Sequence, residues 1–288
     1  MKRILSAITF LVLALSSCES LFFNPDEYLF RADNGLKFKY SDFQLYDSST
    51  HIFYFKKSHP EFKTDKFTGF SILAEGEEVY KGNFYEPYSS SMPFGPFIGS
   101  FIPLMQDYAF QIGFLTIDNQ PDDPRNDPRL ISALDQHNIL HSGLALSMDT
   151  VEINGTLLKF AFTITNKDQT SLMIMDPDKM GINLFHYFTN GLLIYNPEHT
   201  NVFINGIELE RPTPWNEWKA EWLSEIKTGE SRHFFFNYTM KSALAPGAYK
   251  TIFQFPGLSH QVSKDQLFQG NSRIFLGDIT GSKNIVIE

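Results

Sequence analysis

Short apolar runs bounded by turn residues recur along this chain of 288 residues, and they restrict its fold more than any other feature. In residues 158–166, Phe160, Phe162 and Ile164 occupy every second position, which is the side-chain period of a β-strand. Seven or more such runs occur without alternating helical patterns. The sequence therefore predicts a mainly β fold in which antiparallel sheets pack as sandwiches. Aromatic residues make up 15% of the chain and supply the large side chains that such cores need.

A segment rich in proline and acidic residues divides these runs into two groups. Residues 118–129 contain no strongly apolar side chain, and we interpret them as a linker between an N-terminal β domain (28–117) and a C-terminal domain (130–288). At the end of this linker, Asp127 and Pro128 are the residue types preferred at the N-cap and the first position of a helix. A short helix is therefore expected directly after them.

A second helix is predicted inside the C-terminal domain. Trp215, Trp218 and Trp222 are spaced by three and four residues, so they would share one face of a helix between Thr213 and Gly229. An apolar stripe at this spacing is typical of a helix that packs on a core. A row of tryptophans also suits stacking against sugar rings.

The C-terminal domain resembles the immunoglobulin-like β-sandwich modules of bacterial envelope proteins. The motifs that carry the resemblance are, in chain order, Phe162-Thr163-Ile164-Thr165-Asn166, Leu184-Phe185-His186-Tyr187-Phe188, Lys227-Thr228-Gly229-Glu230-Ser231 and Leu244-Ala245-Pro246-Gly247-Ala248-Tyr249. The resemblance implies that the tyrosine after the Pro-Gly turn packs at a sheet corner. The cysteine pair of antibody domains is absent from the sequence, and the resemblance implies a fold without implying an activity.

The first residues have the composition of a secretory signal. Lys2 and Arg3 precede an apolar stretch at 4–15, which is shorter than the roughly 20 residues that a membrane-spanning helix needs. The next residues complete the run Leu15-Ser16-Ser17-Cys18, which resembles the lipobox of bacterial lipoproteins. This resemblance implies that residues 1–17 are removed, that the Cys18 thiol is lipidated and that 18–27 form a tether. We expect anchorage in the lipid bilayer of the cell envelope, in the outer membrane, with the leaflet left open.

Charge and cysteine content limit the classes of partner. The net charge of −9 argues against nucleic acids as partners, because binding their phosphates relies on lysine and arginine. It argues equally against electrostatic docking on anionic lipids. Cys18 is the only cysteine, so its acylation leaves no thiol for a disulfide, a metal site or a nucleophile.

Motifs of known chemistry are not found in the sequence. It lacks Gly-x-Ser-x-Gly and His-Glu-x-x-His, so no catalytic residue, cofactor site or metal site is assigned. The linker does hold oxygen ligands of the kind that calcium prefers, at Asp118, Asp122, Asp123, Asn126 and Asp127. Because they lack the spacing of a calcium loop, a solvated linker is the favoured interpretation, and calcium binding stays open.

The best sequence candidate for recognition is the stretch 88–103, where Phe94, Phe97 and Phe101 are interspersed with serine, glycine and proline. Exposed aromatic residues cluster in partner-binding surfaces, although the same residues could be buried in the first domain or between the domains. The sequence thus favours a non-enzymatic binding or assembly module with an envelope protein or a glycan as partner. Two alternatives remain, a surface glycan-binding accessory protein and a hydrolase with an unrecognised carboxylate site.

Overall fold

The structure, a computed structural model, describes residues 27–60, 68–86, 93–99, 105–115, 122–189, 191–198, 200–203, 207–215, 217–258 and 262–288. The chain is mainly β, as the sequence predicts, with several sheets and short helices. Within these ranges, no helix combines the length and the apolar character needed to cross a membrane.

The strands are β1 (Tyr28–Ala32), β2 (Lys37–Lys39), β3 (Phe43–Asp47), β4 (Ile52–Phe55), β5 (Gly69–Ala74), β6 (Glu77–Tyr85), β7 (Gly95–Gly99), β8 (Met105–Gln106), β9 (Ala109–Gln111), β10 (Gly113–Leu115), β11 (Leu140–His141), β12 (Leu144–Asn154), β13 (Leu157–Asn166), β14 (Leu172–Met175), β15 (Leu192–Tyr195), β16 (Leu223–Ile226), β17 (Ser231–Thr239), β18 (Gly247–Pro256), β19 (Phe268–Gln269), β20 (Ser272–Ile274) and β21 (Asp278–Ile287). The helices are α1 (Pro128–Gln136), α2 (Pro177–Met180) and α3 (Ile182–Phe185), with 3-10 turns at Tyr40–Asp42, Pro124–Asn126 and Ala220–Trp222.

These strands form five sheets in the described part of the chain. The N-terminal half contributes a six-stranded sheet in the order β10-β7-β6-β5-β1-β2 and a five-stranded sheet in the order β11-β3-β4-β9-β8. The C-terminal half contributes the sheets β12-β13-β17, β16-β14-β20-β19 and β15-β18-β21.

Strand β4 explains how the two halves pack together. Phe53 and Phe55 point into a first core between the six-stranded and five-stranded sheets, where Phe53 lies 5.3 Å from Phe110 between ring centroids. The alternate residues Ile52 and Tyr54 belong to a second core that is built mostly from the C-terminal half. All four β4 residues are buried, which is why this strand is a continuous apolar run and does not alternate with polar residues.

The second core is closed by two three-stranded sheets. Phe160 and Phe162 of β13 are fully buried, as their alternation predicts. Their ring centroids lie 4.8 Å and 4.6 Å, respectively, from the ring centroid of Phe253 in β18. Sheet β12-β13-β17 therefore packs face to face on sheet β15-β18-β21. After the Pro-Gly turn, the Tyr249 hydroxyl donates a 2.8 Å hydrogen bond to the Ala245 carbonyl, in keeping with the expected corner. The immunoglobulin-like subdivision itself stays a prediction.

The short helix predicted after the linker is confirmed. Asp127 caps α1 by accepting a hydrogen bond from the Arg129 amide, and Pro128 is its first residue. Leu130 and Leu134 of this helix pack into the first core, and β11 pairs in parallel with β3. Residues 128–141 thus pack with the N-terminal sheets, while the division into domains at 118–129 stays a prediction.

The helix predicted around the tryptophans is wrong. The chain there forms the 3-10 turn at Ala220–Trp222 and then β16, which pairs with β14. Trp222 is buried as expected of a core residue, whereas Trp215 is 51% exposed. Pairing with β14 supplies the backbone hydrogen bonds of this segment and buries Leu223 and Ile226. This tertiary contact overrides the local preference for a helix that the tryptophan spacing indicates.

Candidate functional site

Two of the predicted functional positions lie outside the described residues. They are Cys18, together with the signal at 1–17, and Phe101, and the candidate calcium ligand Asp118 lies outside them as well. Lipidation of Cys18 therefore stays a prediction, and only the last residue of the predicted tether, Glu27, is described.

The structure separates the other two aromatic candidates for partner binding. Phe97 lies in β7 at 6% exposure, with its ring edge-on to Tyr85 at 6.2 Å between centroids. Phe94 precedes that strand and is 52% exposed. The two residues therefore do not present a joint apolar surface, and a binding role for this stretch stays a prediction that rests on Phe94.

Two acidic residues of the predicted linker, Asp123 and Asp127, have partners within the chain. Asp123 receives hydrogen bonds from the Arg125 guanidinium, at 2.9 Å from Nε and 2.5 Å from NH2, and Asp127 is bound by Arg129 at 2.8 Å. These carboxylates are engaged in caps and ion pairs, and no group of three or more candidate metal ligands occurs among residues that the structure describes.

A buried ion cluster joins the two halves of the molecule. Arg273 of β20 donates through NH2 to Asp47 of β3 at 2.7 Å and to Asp168 at 3.0 Å, and through NH1 to the Tyr54 hydroxyl at 3.2 Å. Asp168 also lies 2.7 Å from Nδ1 of His141. Together these five side chains form what we name the Arg273 cluster, and all of them are buried.

The surroundings of Asp168 and Arg273 shift the pKa of each toward its charged form. Burial raises the pKa of Asp168, but the hydrogen bond from His141 and the charge of Arg273 outweigh it and lower this pKa to about 2. Burial likewise lowers the pKa of Arg273, whereas Asp47, Tyr54 and Asp168 together raise it above its ordinary value. The two carboxylates meet on one guanidinium inside the protein and do not face each other across a cleft, so the cluster serves to join the halves.

A second polar group closes the end of the first core. The Tyr46 hydroxyl lies 2.6 Å from Nδ1 of His51, and Nε2 of His51 lies 4.0 Å from Asp123. Burial, together with the nearby charge of Arg125, lowers the pKa of His51 well below its usual range. The imidazole is therefore neutral near pH 7 and acts as a hydrogen-bonding partner in the interior.

An open groove lies on the outer face of sheet β15-β18-β21. It has a cavity volume of about 480 Å³. The residues that we use to define this sheet groove are Tyr195, Pro197, Ala248, Lys250, Asn284 and Val286. Tyr195, Lys250 and Asn284 are cross-strand neighbours in one row, and Ala248 and Val286 form the adjacent pair. Val286 is 77% exposed, which is unusual for a β-branched residue in a regular strand.

Lys250 gives the sheet groove its charge. It is the one ionisable cation or anion among the described residues that line the cavity, and the ion pairs found in the described chain do not include it. The walls are otherwise aromatic, aliphatic or neutral polar. The described lining thus combines apolar walls with one ammonium group, for which no ion pair is found among the described residues.

The outer face of the opposite sheet, β12-β13-β17, differs from the groove. There the Thr163 hydroxyl lies 2.5 Å from Asp149 and 2.7 Å from Nδ1 of His233, and Thr165 and Ser231 pair at 2.8 Å. These polar side chains satisfy one another across the strands. The same face also carries Leu157 and Phe235, which are 59% and 55% exposed, so both outer faces present apolar side chains to solvent.

Comparison with known proteins adds no relative. No protein-family model matches the chain, and no curated protein matches it.

Sequence reasoning missed the sheet groove, because Lys250 and Val286 alternate with inward residues as in any exposed strand. It also missed the Arg273 cluster, although an arginine directly before the apolar residues 274–276 of a predicted strand was a usable signal.

Proposed function

We propose that this protein is a lipid-anchored component of the cell envelope that binds or assembles with a partner and catalyses no reaction of its own. The observation that carries the proposal is the sheet groove, an open and mostly apolar concavity whose lysine has no ion-pair partner among the described residues. Its volume is within the range of roughly 300–1,000 Å³ that is typical of ligand sites.

The roles of the polar residues also favour binding over catalysis. The histidines with defined buried partners, His51, His141 and His186, bond to Tyr46, Asp168 and Tyr238 within the cores. Each of these histidines uses a ring nitrogen on an interior partner, which favours recognition as the use of the open surface.

The lipobox sequence supports anchorage. Acylation of Cys18 with two or more chains would hold the protein stably at a bilayer, because each buried CH₂ contributes about 0.8 kcal/mol. We expect wild-type protein to label with radioactive palmitate and to fractionate with membranes, and Cys18→Ala to lose both properties. Palmitate labelling of the Cys18→Ala variant would contradict the anchor.

Binding through the sheet groove is tested by thiol accessibility. Because acylation occupies Cys18, Val286→Cys introduces a single reactive thiol at the groove. We expect a polar maleimide to modify it more slowly in isolated envelopes than in dilute purified protein, since the partner covers it. Leu157→Cys, on the opposite sheet and 59% exposed, is the matched control and should react equally in both samples. Equal labelling of the Val286→Cys variant in both samples would contradict the proposed function.

A further inference from the structure

Strand β21 leaves part of its backbone edge without a partner. Among the described strands, it pairs with β18 alone. The first part of β21 lies against β12, where Lys283 donates its ammonium to the backbone carbonyls of Met148, at 3.3 Å, and Asp149. Beyond Lys283 the edge strand consists of Asn284, Ile285, Val286 and Ile287, followed by Glu288.

This segment lacks the features by which proteins protect an exposed sheet edge. Residues 284–287 contain no proline and no charged side chain, and their pairing with β18 shows no bulge. Natural edge strands are usually blunted by such features or are covered by another chain. The occupant that matches unpaired N–H and C=O groups along a strand is another extended strand.

One symmetric pairing fits this edge. When two copies of β21 run antiparallel about a two-fold axis perpendicular to the sheet, paired residues must lie on the same face. With the axis at Val286, that residue pairs with its own copy and Ile285 pairs with Ile287. Asn284 pairs with Glu288. This register uses residues 284–288 only, which follow the contacts of Lys283 with β12 and pair with no described strand other than β18.

The same register brings a carboxylate of the second copy close to Lys250 of the sheet groove. Val286, Asn284 and Glu288 alternate onto the outer face, and Asn284 is the cross-strand neighbour of Lys250. Glu288 of a second copy, opposite Asn284, would therefore lie two strands from Lys250, about 10 Å between backbones. The long side chains of lysine and glutamate can close that gap, and the two-fold axis makes the contact twice.

We propose that the sheet groove and the edge of β21 form a homodimer interface, in which two copies join their sheets through residues 284–288 and exchange Lys250–Glu288 ion pairs. This inference rests on the proposed function and names a second copy of the chain as the partner. Pairing over five residues buries only a small area of protein surface. Anchorage of both copies in one membrane raises their effective concentration and favours the dimer.

The sharpest test is disulfide trapping at the axis. Paired residues in antiparallel strands have Cα atoms about 4.5–5.5 Å apart, which a disulfide spans. Detergent-solubilised Val286→Cys protein oxidised with diamide is expected to give a covalent dimer on a non-reducing gel. Ala248→Cys is the control, since this exposed residue lies in the same row one strand away, and its two copies would be about 15 Å apart. Absence of the dimer, or equal yield from both variants, would overturn the inference.

Charge reversal tests the ion pair separately. Lys250→Glu should weaken dimerisation about fivefold in sedimentation equilibrium, and adding Glu288→Lys should restore it, because the double variant reverses both charges of each pair. An unchanged melting temperature in each variant controls for folding. A weakened dimer without rescue would overturn the ion pair.

These outcomes separate the inference from the proposed function. If the protein is monomeric and Val286→Cys is still protected in envelopes, a partner other than a second copy covers the groove. The homodimer is then rejected and the proposed function stands. If that thiol is unprotected in envelopes, the proposed function falls as well.

Discussion

The Arg273 cluster and the sheet groove handle a positive charge in opposite ways. Arg273 is buried and has two carboxylates of its own chain within 3.0 Å, whereas Lys250 lies on an open surface and is absent from the ion pairs of the described chain. A charge in the interior must be compensated where the chain folds, because its desolvation is otherwise prohibitive. A charge at the surface is free to be compensated by another molecule. The difference indicates a structural role for Arg273 and supports the proposed role of Lys250 in recognition.

The largest effect that would test this contrast is the removal of the buried cation. Arg273→Met keeps much of the side-chain volume but leaves Asp47 and Asp168 buried without their counter-charge. We expect the free energy of unfolding, measured by urea denaturation, to fall by about 3–5 kcal/mol. Combining it with Asp47→Asn and Asp168→Asn should recover part of this loss. A single-variant loss below about 1 kcal/mol would contradict the structural role of the cluster.

A smaller effect is expected on acidification. The pKa of Asp168 in the folded protein is about 2, below its value in the unfolded chain. A lowered pKa stabilises the fold above about pH 4, and that stabilisation is lost as pH falls from there through pH 2. This contribution amounts to about 2 kcal/mol. Unfolding free energies measured between pH 5 and pH 2 should decline less steeply in Asp168→Asn than in the wild type, and parallel declines would contradict the assignment.

The smallest effect on stability is expected at the groove. Lys250→Met replaces an exposed side chain that has no counter-charge within the described part of the chain, so the unfolding free energy should change by no more than about 0.5 kcal/mol. The same substitution should still weaken the dimer in sedimentation equilibrium. A stability loss approaching that of Arg273→Met would remove the distinction between the two regions and make Lys250 a structural residue.

Local patterns predicted those parts of the fold that are determined locally. The alternation of Phe160, Phe162 and Ile164 identified β13 and its buried face, and the Asp127-Pro128 pair identified the start of α1. The helix predicted from the tryptophan spacing was wrong because the secondary structure around Trp222 depends on pairing with β14. That strand lies some 50 residues earlier in the chain, and the spacing of the tryptophans contains no information about it.

Neither functional region could be located from sequence spacing. Arg273 is 226 residues from Asp47 and 105 residues from Asp168, so only the packing of the two halves brings them together. The sheet groove depends on β15, β18 and β21 lying side by side in one sheet. The aromatic stretch that the sequence favoured shows the same limitation, since Phe94 is exposed and Phe97, three residues later, is buried.

Backbone amide exchange of β21 tests the central claim most directly. Hydrogen–deuterium exchange of residues 284–287 is compared between the acylated protein in membranes and the dilute Cys18→Ala protein in buffer, with β13 as an internal reference. The account predicts that exchange of residues 284–287 slows in the membrane-bound protein, because strand pairing engages their free edge, while β13 is unchanged. Equal exchange of residues 284–287 in both samples would contradict the claim that this sheet edge is the binding surface.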